Sequence, residues 1–197
     1  MTFILGLTGS IGMGKSTTAN LFANEGCDIW DADAAVHRLY SKNGLAVAKI
    51  EKIFPYAIEN DAVSRDKLKQ IISSHPGALK QVEDIIHPLV RADRAGFVQN
   101  SNRDIIVLDI PLLFETKSQG EMDAVVCVTA AASVQKQRVL ARPGMTEAHF
   151  QIILSKQMPD AEKRERADYI VETTTLDHAK QQVHMIVSEI RETLGNA

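Results

Sequence analysis

The chain has 197 residues, of which 45% are hydrophobic and 24% are charged, and its formal net charge is −3. These values suit one soluble α/β domain with insertions, or one domain plus a small appendage, and the small acidic charge gives no basic field that would attract nucleic acid. No apolar run approaches the about 20 residues of a membrane span, and the predicted first strand leaves no room for a signal peptide. We therefore predict a cytoplasmic protein that has neither a nucleic-acid nor a membrane partner.

Five short apolar runs predict strands: Phe3–Leu7, Cys27–Trp30, Ile105–Ile110, Ala124–Val128 and Tyr169–Val171. Most are rich in Val, Ile or Leu, which is typical of strands buried on both faces of a parallel sheet. Helical patterns separate them and indicate βαβ crossovers. Cys27 and Cys127 have neither a metal nor a disulfide spacing, so we expect two buried thiols. Thr175 is a plausible N-cap for a last helix whose apolar repeat is Leu176, Ala179, Val183, Ile186, Ile190 and Leu194.

A glycine-rich loop joins the first strand to a predicted helix over Lys15–Glu25. Residues 9–16 read Gly-Ser-Ile-Gly-Met-Gly-Lys-Ser, which fits the phosphate loop G-x-x-x-x-G-K-[ST]. Its backbone N–H groups can cradle phosphate oxygens, Lys15 can reach the β- and γ-phosphates, and the Ser16 hydroxyl can bind Mg²⁺. A chance glycine turn is disfavoured, because strand, loop and helix aim a helix N-terminus at an anion. The predicted ATP-binding residues are Gly9, Ile11, Gly12, Met13, Gly14, Lys15, Ser16 and Thr17.

Two carboxylates, Asp31 and Asp33, directly follow the second predicted strand. In an open parallel sheet, ligands bind beyond the C-terminal ends of the strands. A kinase that acts on an alcohol needs a group that orients the hydroxyl and accepts its proton, and either carboxylate could do this. The alternative is that Asp caps the following helix. Both roles can hold together, with Asp31 as the structural partner.

More than seventy residues separate the second and third predicted strands and contain no strand pattern. Four segments have helical patterns: 33–41, 45–54, 65–73 and 76–100. We predict a helical insertion that covers a substrate, with a break or kink at His87-Pro88. Arg65 could bind a substrate phosphate or pair with Asp61 or Asp66. His87 could contact a ligand, or it could be a turn histidine whose hydrogen bonds are satisfied locally.

Asp109 ends the third predicted strand and is followed by an apolar segment, Pro111–Phe114. In P-loop proteins a carboxylate at this position can hold Mg²⁺ directly or through water. We expect the apolar segment to pack or to line a pocket.

Two later segments have helical patterns and meet at Pro143-Gly144: 134–142 and 146–158. Their Arg, Lys and Gln content predicts a mobile lid over phosphates. Arg138 and Arg142 share a helix face. With Lys136 and Gln157 they could close over the triphosphate and stabilise charge in the transition state. The alternative is a solvated basic face.

Together these motifs resemble those of the dephospho-CoA kinase family, over nearly the whole chain. The ordered set is more specific than the phosphate loop alone. It comprises Gly6–Thr17, Asp31-Ala32-Asp33, Ser64–Leu68, Ile86-His87-Pro88, Leu108–Glu115, Gln137-Arg138 with Arg142, Gln157, and Ala167-Asp168-Tyr169.

The resemblance implies a three-layer α/β fold of the P-loop NTPase, nucleoside-monophosphate-kinase-like type, with a five-stranded parallel sheet. It implies a nucleotide-binding core at 1–32, 103–133 and 167–197, a helical substrate-binding insertion at 33–102 and a lid at 134–166. The implied reaction transfers the γ-phosphoryl of ATP, bound with Mg²⁺, to the ribose 3′-hydroxyl of dephospho-CoA. No obligate protein partner is implied.

The resemblance also implies roles for single residues. Asp33, Lys15, Arg138 and Arg142 are implied to be catalytic, and Ser16 and Asp109 to bind the metal. Substrate-side residues are Thr8, Asp33, Arg65, His87 and Leu112. The chain departs from the family pattern at four positions: Ser10, Met13, Pro55 and Thr173. Met13 is bulky beside the nucleotide, and Thr173 replaces an Asn expected on the adenine side.

Two other functions would be compatible with the phosphate loop alone. A GTPase-like switch would carry an Asn-Lys-x-Asp run, which the sequence lacks. A kinase with another acceptor, of the nucleotide or shikimate type, is compatible with the fold because fold does not fix function.

Overall fold

The computed structural model describes residues 2–195. The chain divides into two compact units. The first comprises the residues before Asp31 and those after Asn100, and the second comprises Asp31–Asn100. No helix in the described part of the chain is both long and apolar enough to cross a membrane.

The strands and α-helices of residues 2–195 follow one another in this order: β1 (Phe3–Thr8), α1 (Lys15–Asn24), β2 (Asp28–Asp31), α2 (Ala32–Tyr40), α3 (Val47–Ile53), β3 (Ile58–Glu59), β4 (Ala62–Val63), α4 (Arg65–Ser74), α5 (Ala78–Asn100), β5 (Ile105–Asp109), β6 (Ala124–Thr129), α6 (Ala132–Leu140), α7 (Glu147–Leu154), α8 (Asp160–Arg166), β7 (Tyr169–Glu172) and α9 (Leu176–Gly195). Two short 3₁₀ turns cover Pro55–Ala57 and Gln119–Glu121.

A five-stranded sheet forms the centre of the first unit, in the order β2-β5-β1-β6-β7. The pairings of β1 with β5, β1 with β6 and β6 with β7 are parallel. All five predicted strands are present, within a residue or two of their predicted ends. The predicted fold class, an α/β P-loop fold with a five-stranded parallel sheet, is confirmed.

In the core of the first unit every residue of β5 and β6 is buried, which explains why both strands are apolar up to their last residues, Asp109 and Thr129. On one side α1 contributes Phe22, and α9 contributes Val183 and Ile190. Both predicted buried thiols, Cys27 and Cys127, are free and buried. The predicted N-cap of α9 is also confirmed, because the Thr175 hydroxyl accepts from the His178 N–H at 3.2 Å. The apolar repeat was wrong at one position, since Leu176 is 61% exposed.

The second unit has its own apolar core, formed by Leu39, Ala46, Ile50, Ala57, Val63, Leu68, Val82 and Ile86. The four predicted helices are present as α2 to α5. The prediction that this region has no strand was wrong. β3 and β4 form an antiparallel hairpin in which Ile58 faces Val63. Asn60 and Asp61 make its turn with φ values of 52° and 61°, a left-handed conformation that Asn and Asp tolerate.

Of the break or kink predicted at His87-Pro88, the break does not occur, because α5 continues through Pro88 to Asn100. Proline removes one backbone donor and usually interrupts a helix. Here apolar residues continue on both sides of it. Val82 and Ile86 are buried, and Leu89 and Val90 pack against the same core. Tertiary packing therefore outweighs the local preference.

The second predicted lid helix, 146–158, is present as the shorter α7, and a further helix that the sequence pattern did not predict, α8, follows it. Pro159 lies immediately before α8, and the residue before a proline is disfavoured in a helix. The predicted turn at Pro143-Gly144 is present, and Gly144 has a φ of 76°.

Candidate active site

The phosphate loop leads directly into α1, whose N-cap residue Gly14 has no capping side chain. The first turn of α1 also contains no acidic residue. The first amides of this helix are therefore left for an external anion, which the helix dipole also favours. Gly12 and Gly14 have φ values of 79° and 96°, which side-chain-bearing residues rarely adopt. At Gly9 a Cβ would lie 2.6 Å from the carbonyl oxygen of Val128, so the loop requires glycine there.

Lys15 and Asp109 form a charged hydrogen bond, from Nζ to Oδ1, between the phosphate loop and the end of β5. The parallel register pairs Leu7 with Asp109, which brings the two strand ends together. The Asp109 side chain is 2% exposed. A carboxylate this deeply buried needs a cationic partner, and Lys15 supplies it. The two residues predicted to bind phosphate and metal are thus in contact.

Met13, which was expected to place bulk beside the nucleotide, is instead a buried residue. Its side chain is 3% exposed, and its sulfur accepts from the Ala130 N–H at 3.2 Å. The bulk of Met13 is thus used for packing against the segment after β6.

Thr173 lies between the phosphate loop and Arg138. Its hydroxyl donates to the Met13 carbonyl at 2.7 Å and accepts from Arg138 Nη1 at 2.8 Å. Arg138 Nη2 donates to the Thr173 carbonyl, also at 2.8 Å. Thr173 is 7% exposed. The residue at the departure from the family pattern is therefore a structural bridge between the loop and an arginine.

Two glutamines hold the backbone of Ile11. Gln135 Nε2 donates to the Ile11 carbonyl at 2.8 Å, and Gln157 Oε1 accepts from the Ile11 N–H at 3.1 Å. Gln135 precedes Arg138 on α6, and Gln157 lies between α7 and α8. Gln157 thus bonds to the loop itself, and its place over a triphosphate stays a prediction.

The other predicted lid cations are at the surface. Lys136 pairs with Glu147 at 2.8 Å, and both side chains are about half exposed. Arg142 is exposed. Of the lid cations Lys136, Arg138 and Arg142, Arg138 is the one whose side chain contacts Thr173, the residue that holds the phosphate loop.

A cavity of about 430 Å³ borders the phosphate loop at Met13. Residues 129–132, at the end of β6, form one wall, and Gln135 of α6 contributes to it. Asp160 and Arg164 of α8 add charge. Asp160 also accepts from the Thr129 hydroxyl at 2.8 Å, which fixes α8 to the end of β6.

Within the second unit, the structure assigns the helix-capping role to Asp31. Its Oδ1 accepts from the Ala34 N–H at 2.8 Å, whereas Asp33 lies in the first turn of α2 and is exposed. A carboxylate in the first turn also interacts favourably with the helix dipole. Of these two residues, Asp31 therefore takes the capping role, which the sequence had left open between them.

Arg65 begins α4 and is exposed, and His87 is exposed on α5. Burial raises the pKa of Tyr40, and the positive charge of Arg65 partly offsets that rise, so the two residues are close. Asp61, one expected partner of Arg65, pairs with Lys42 at 3.4 Å.

Thr8 and Leu112 were expected on the substrate side. Thr8 is fully buried, and its hydroxyl donates to the Pro111 carbonyl at 3.0 Å. Leu112 is 40% exposed. Leu112 is therefore accessible, whereas the side chain of Thr8 supports the segment after β5.

Lys163 was not found from the sequence. It is fully buried, and its Nζ lies 2.9 Å from Glu115 Oε1 and donates to the Pro111 carbonyl at 3.1 Å. Glu115 Oε1 also accepts from the Met158 N–H at 2.7 Å. Within the run Lys-Arg-Glu-Arg, Lys163 looks like part of a solvated face. Glu115, placed directly after an apolar segment, was the available signal that a buried cation is needed.

Comparison with known proteins identifies the family. The dephospho-CoA kinase family model matches residues 3–178. The dephospho-CoA kinase of Ruegeria pomeroyi is 59% identical over 191 residues, which is 97% of each chain. That of Cereibacter sphaeroides is 53% identical, with the same coverage.

The chain belongs to the dephospho-CoA kinase family. It is accordingly a kinase that uses ATP as co-substrate. A crystal structure from Thermus thermophilus superposes with a TM-score of 0.86 at 30% identity, covering 95% of this chain and 97% of that one. A dephospho-CoA kinase from Campylobacter jejuni has a TM-score of 0.67 at 22% identity, covering 96% and 97%. A shikimate kinase from Acinetobacter baumannii reaches 0.54 at 16% identity, covering 98% and 95%, which is a likeness of fold.

Proposed function

We propose that the chain phosphorylates the ribose 3′-hydroxyl of dephospho-CoA with ATP, giving coenzyme A and ADP, the last step of coenzyme A synthesis. Membership of the dephospho-CoA kinase family supports dephospho-CoA as the acceptor. The uncapped N-terminus of α1 and the phosphate loop before it support ATP as the phosphoryl donor. In the reaction the 3′-oxygen attacks the γ-phosphorus, the bond from that phosphorus to the β,γ-bridging oxygen breaks, and the hydroxyl proton passes to a base.

On the donor side, the proposed ATP contacts are the backbone groups from Gly9 to Thr17. Lys15 binds the β- and γ-phosphates, and its present partner Asp109 shows that it can reach the end of β5. Arg138 and Arg142 neutralise charge that develops on the transferred group. Arg138 is supported for this role because Thr173 ties it to the loop.

Ser16 and Asp109 are the proposed protein ligands of Mg²⁺. No cluster of three or more His, Cys, Asp or Glu side chains that could hold a metal exists among residues 2–195. This fits Mg²⁺ in a kinase, which takes one or two protein oxygens and the substrate phosphates. The ion would screen the charge of the phosphates. With Mg²⁺ as its partner, Asp109 would release Lys15 for the phosphates.

On the acceptor side, Asp33 is the proposed base or orienting group for the 3′-hydroxyl. Its exposed position in the first turn of α2 supports this, because Asp31 already satisfies the helix cap. Arg65, His87 and Leu112 are proposed acceptor contacts, and all three are exposed. For Thr8 we propose an indirect role through its bond to Pro111.

The proposed division of labour keeps the predicted bounds. The nucleotide-binding core is 1–32, 103–133 and 167–197, the substrate-binding insertion is 33–102, and the lid is 134–166. A cytoplasmic location stays a prediction.

The purified chain should release ADP only when Mg²⁺, ATP and dephospho-CoA are all present. ADP formation is followed by a coupled assay, and the phosphorylated product by mass spectrometry. Shikimate and nucleoside monophosphates serve as comparison acceptors. A faster turnover with one of those acceptors than with dephospho-CoA would contradict the proposal.

The Asp33→Asn variant should lose about 10²- to 10⁴-fold in kcat, because a general base contributes about that much. Its affinity for ATP should stay close to that of the unaltered chain, since the role is confined to the transition state. Calorimetric ATP binding and steady-state turnover give the two values.

The matched control is Asp31→Asn, because Asn caps helices about as well as Asp. It should retain kcat within a few-fold. If Asp33→Asn retained full activity, Asp33 would not be the base.

A further inference from the structure

Two carbonyl groups of the phosphate loop are held from outside by polar side chains. We infer that Gln135 and Thr173 are positioning residues that set the direction of the phosphate-binding amides of Gly12 and Gly14. The inference rests on the proposed binding of ATP phosphates by this loop. Neither side chain needs to contact the nucleotide.

The two contacts are short and shielded from solvent. Gln135 Nε2 donates to the carbonyl of Ile11 at 2.8 Å, and the Thr173 hydroxyl donates to the carbonyl of Met13 at 2.7 Å. Gln135 is 6% exposed and Thr173 is 7% exposed. A hydrogen bond in such a setting is stronger than one in water, and leaving its acceptor unsatisfied is costly.

The geometry of the peptide bond links these carbonyls to the next amide. In a planar trans peptide the C=O of one residue and the N–H of the next point in opposite directions. Holding the Ile11 carbonyl on Gln135 therefore turns the Gly12 N–H away from Gln135. Holding the Met13 carbonyl on Thr173 does the same for the Gly14 N–H.

The neighbourhood of the loop limits other arrangements. Gln157 accepts from the Ile11 N–H, so the peptide planes on both sides of Ile11 are held. A Cβ on Gly12 would lie 3.0 Å from the Gln135 carbonyl, and one on Gly14 would lie 3.0 Å from the Thr173 hydroxyl. Gln135 and Thr173 thus also pack closely against Gly12 and Gly14, respectively.

The consequence is a phosphate cradle organised before the ligand arrives. A site whose donors are already oriented loses less free energy on binding than one that must be ordered by the ligand. Without Gln135 or Thr173, part of the binding free energy would be spent on turning the peptide. The effect should be confined to ligands whose phosphates occupy this loop.

The test compares Thr173→Val with Thr173→Ser. Valine keeps the size and removes the hydroxyl, whereas serine keeps the hydroxyl. Thr173→Val should weaken ADP binding about tenfold by calorimetry, the effect expected from losing the buried bond to the Met13 carbonyl. It also removes the bond from Arg138 Nη1. Thr173→Ser should bind ADP within about twofold to threefold of the unaltered chain. The KM for dephospho-CoA should not follow the change in either variant.

Gln135→Met provides an independent variant, because it leaves both bonds between Arg138 and Thr173 in place. It should weaken ADP binding to a similar extent. ¹⁵N–¹H spectra then separate the two sites. On ADP addition, Gln135→Met should lose most of the Gly12 amide shift and keep that of Gly14, and Thr173→Val should do the reverse.

Two results would overturn the inference. One is ADP binding by Thr173→Val and Gln135→Met as tight as that of the unaltered chain. The other is an equal loss in Thr173→Ser and Thr173→Val. Failure of the proposed function would look different, since the unaltered chain would bind ADP without phosphorylating dephospho-CoA.

Discussion

Burial changes the chemistry of both cysteine side chains. Desolvation raises the pKa of Cys27 from 9.0 to about 11, and the nearby Arg191 guanidinium opposes part of that rise. Desolvation, together with a smaller effect of the Asp160 charge, raises the pKa of Cys127 to about 12. Thiolate is the reactive form, so both residues are poor nucleophiles in the folded protein near neutral pH.

These two thiols should make the stability of the fold depend on alkaline pH. The folded state keeps both protons to higher pH than the unfolded state. The stabilisation is therefore complete below about pH 8 and is lost as the pH rises from 9.0 towards 11 and 12. Urea unfolding at several pH values measures the slope, which reaches about 1.4 kcal/mol per pH unit for each thiol.

The control for this slope is the double variant Cys27→Ala/Cys127→Ala. It should be less stable at every pH because it leaves cavities, yet its stability should fall less steeply above pH 9. An unchanged slope would mean that the thiols titrate normally in the folded chain.

Sequence alone could assign some single residues and not others. The roles predicted for Lys15 and Ser16 rest on a motif whose spacing indicates the chemistry. Asp31 and Asp33 are two residues apart, and either can cap a helix, so the cap could be assigned only from the bond between Asp31 and Ala34. Thr173 was expected beside adenine, and its contacts with Met13 and Arg138 depend on residues distant in the chain.

At the scale of elements, one buried network fastens α8 to the rest of the first unit. Lys163 of α8 meets Glu115 and the Pro111 carbonyl, and that carbonyl also accepts from Thr8 at the end of β1. Glu115 further accepts from the Met158 N–H. The segment that leads into α8 is thus held by the segment that follows Asp109. The C-terminal end of the proposed lid is anchored to the core.

Lys163→Met should destabilise the fold by about 3–5 kcal/mol, because it leaves the Glu115 carboxylate buried without its cation. The midpoint of urea unfolding measures the change. Lys163→Met/Glu115→Gln should recover part of the loss, since the amide is neutral and its oxygen can still accept from Met158. Equal stability of Lys163→Met and the unaltered chain would show that the ion pair contributes nothing.

Element boundaries in the insertion and the lid were harder to predict than the sheet. The hairpin β3–β4 has two residues in each strand, which is too short for an alternating pattern to be read. Pro88 favoured a break in α5, yet the packing of Val82 and Ile86 below it and Leu89 above it maintains the helix. The long buried strands were predictable because their apolar runs need no knowledge of distant partners.

For the molecule as a whole, each of the two compact units has its own apolar core. One surrounds the five-stranded sheet, and the other joins α2 to α5 in the second unit. The phosphate loop and Asp109 belong to the first unit, and Asp33, Arg65 and His87 belong to the second. The residues proposed for the donor therefore lie in the first unit, and those proposed for the acceptor lie in the second unit, apart from Leu112 and the indirectly acting Thr8 of the first.

This division predicts a selective effect of a core substitution. Leu68 is 4% exposed in the second core and lies one turn after Arg65 on α4. Leu68→Ala should lower the free energy of unfolding by about 2–5 kcal/mol. In the folded protein it should raise the KM for dephospho-CoA while leaving the affinity for ATP nearly unchanged.

The matched control is Val183→Ala in the first core, where Val183 is fully buried on α9. It should lower stability without a selective rise in the KM for dephospho-CoA. If Leu68→Ala weakened ATP binding as much as acceptor binding, the assignment of the two substrates to different cores would be wrong.

The bare N-terminus of α1 has a consequence for the lifetime of the folded chain. With Gly14 as its N-cap, α1 forgoes roughly a few tenths of a kcal/mol relative to a helix with a capping side chain. A nucleotide that occupies this end adds stability by mass action, about 2.7 kcal/mol at a hundred times its dissociation constant. Thermodynamic linkage thus makes resistance to heat and proteolysis depend on nucleotide supply, so that the kinase is most durable when its own co-substrate is abundant.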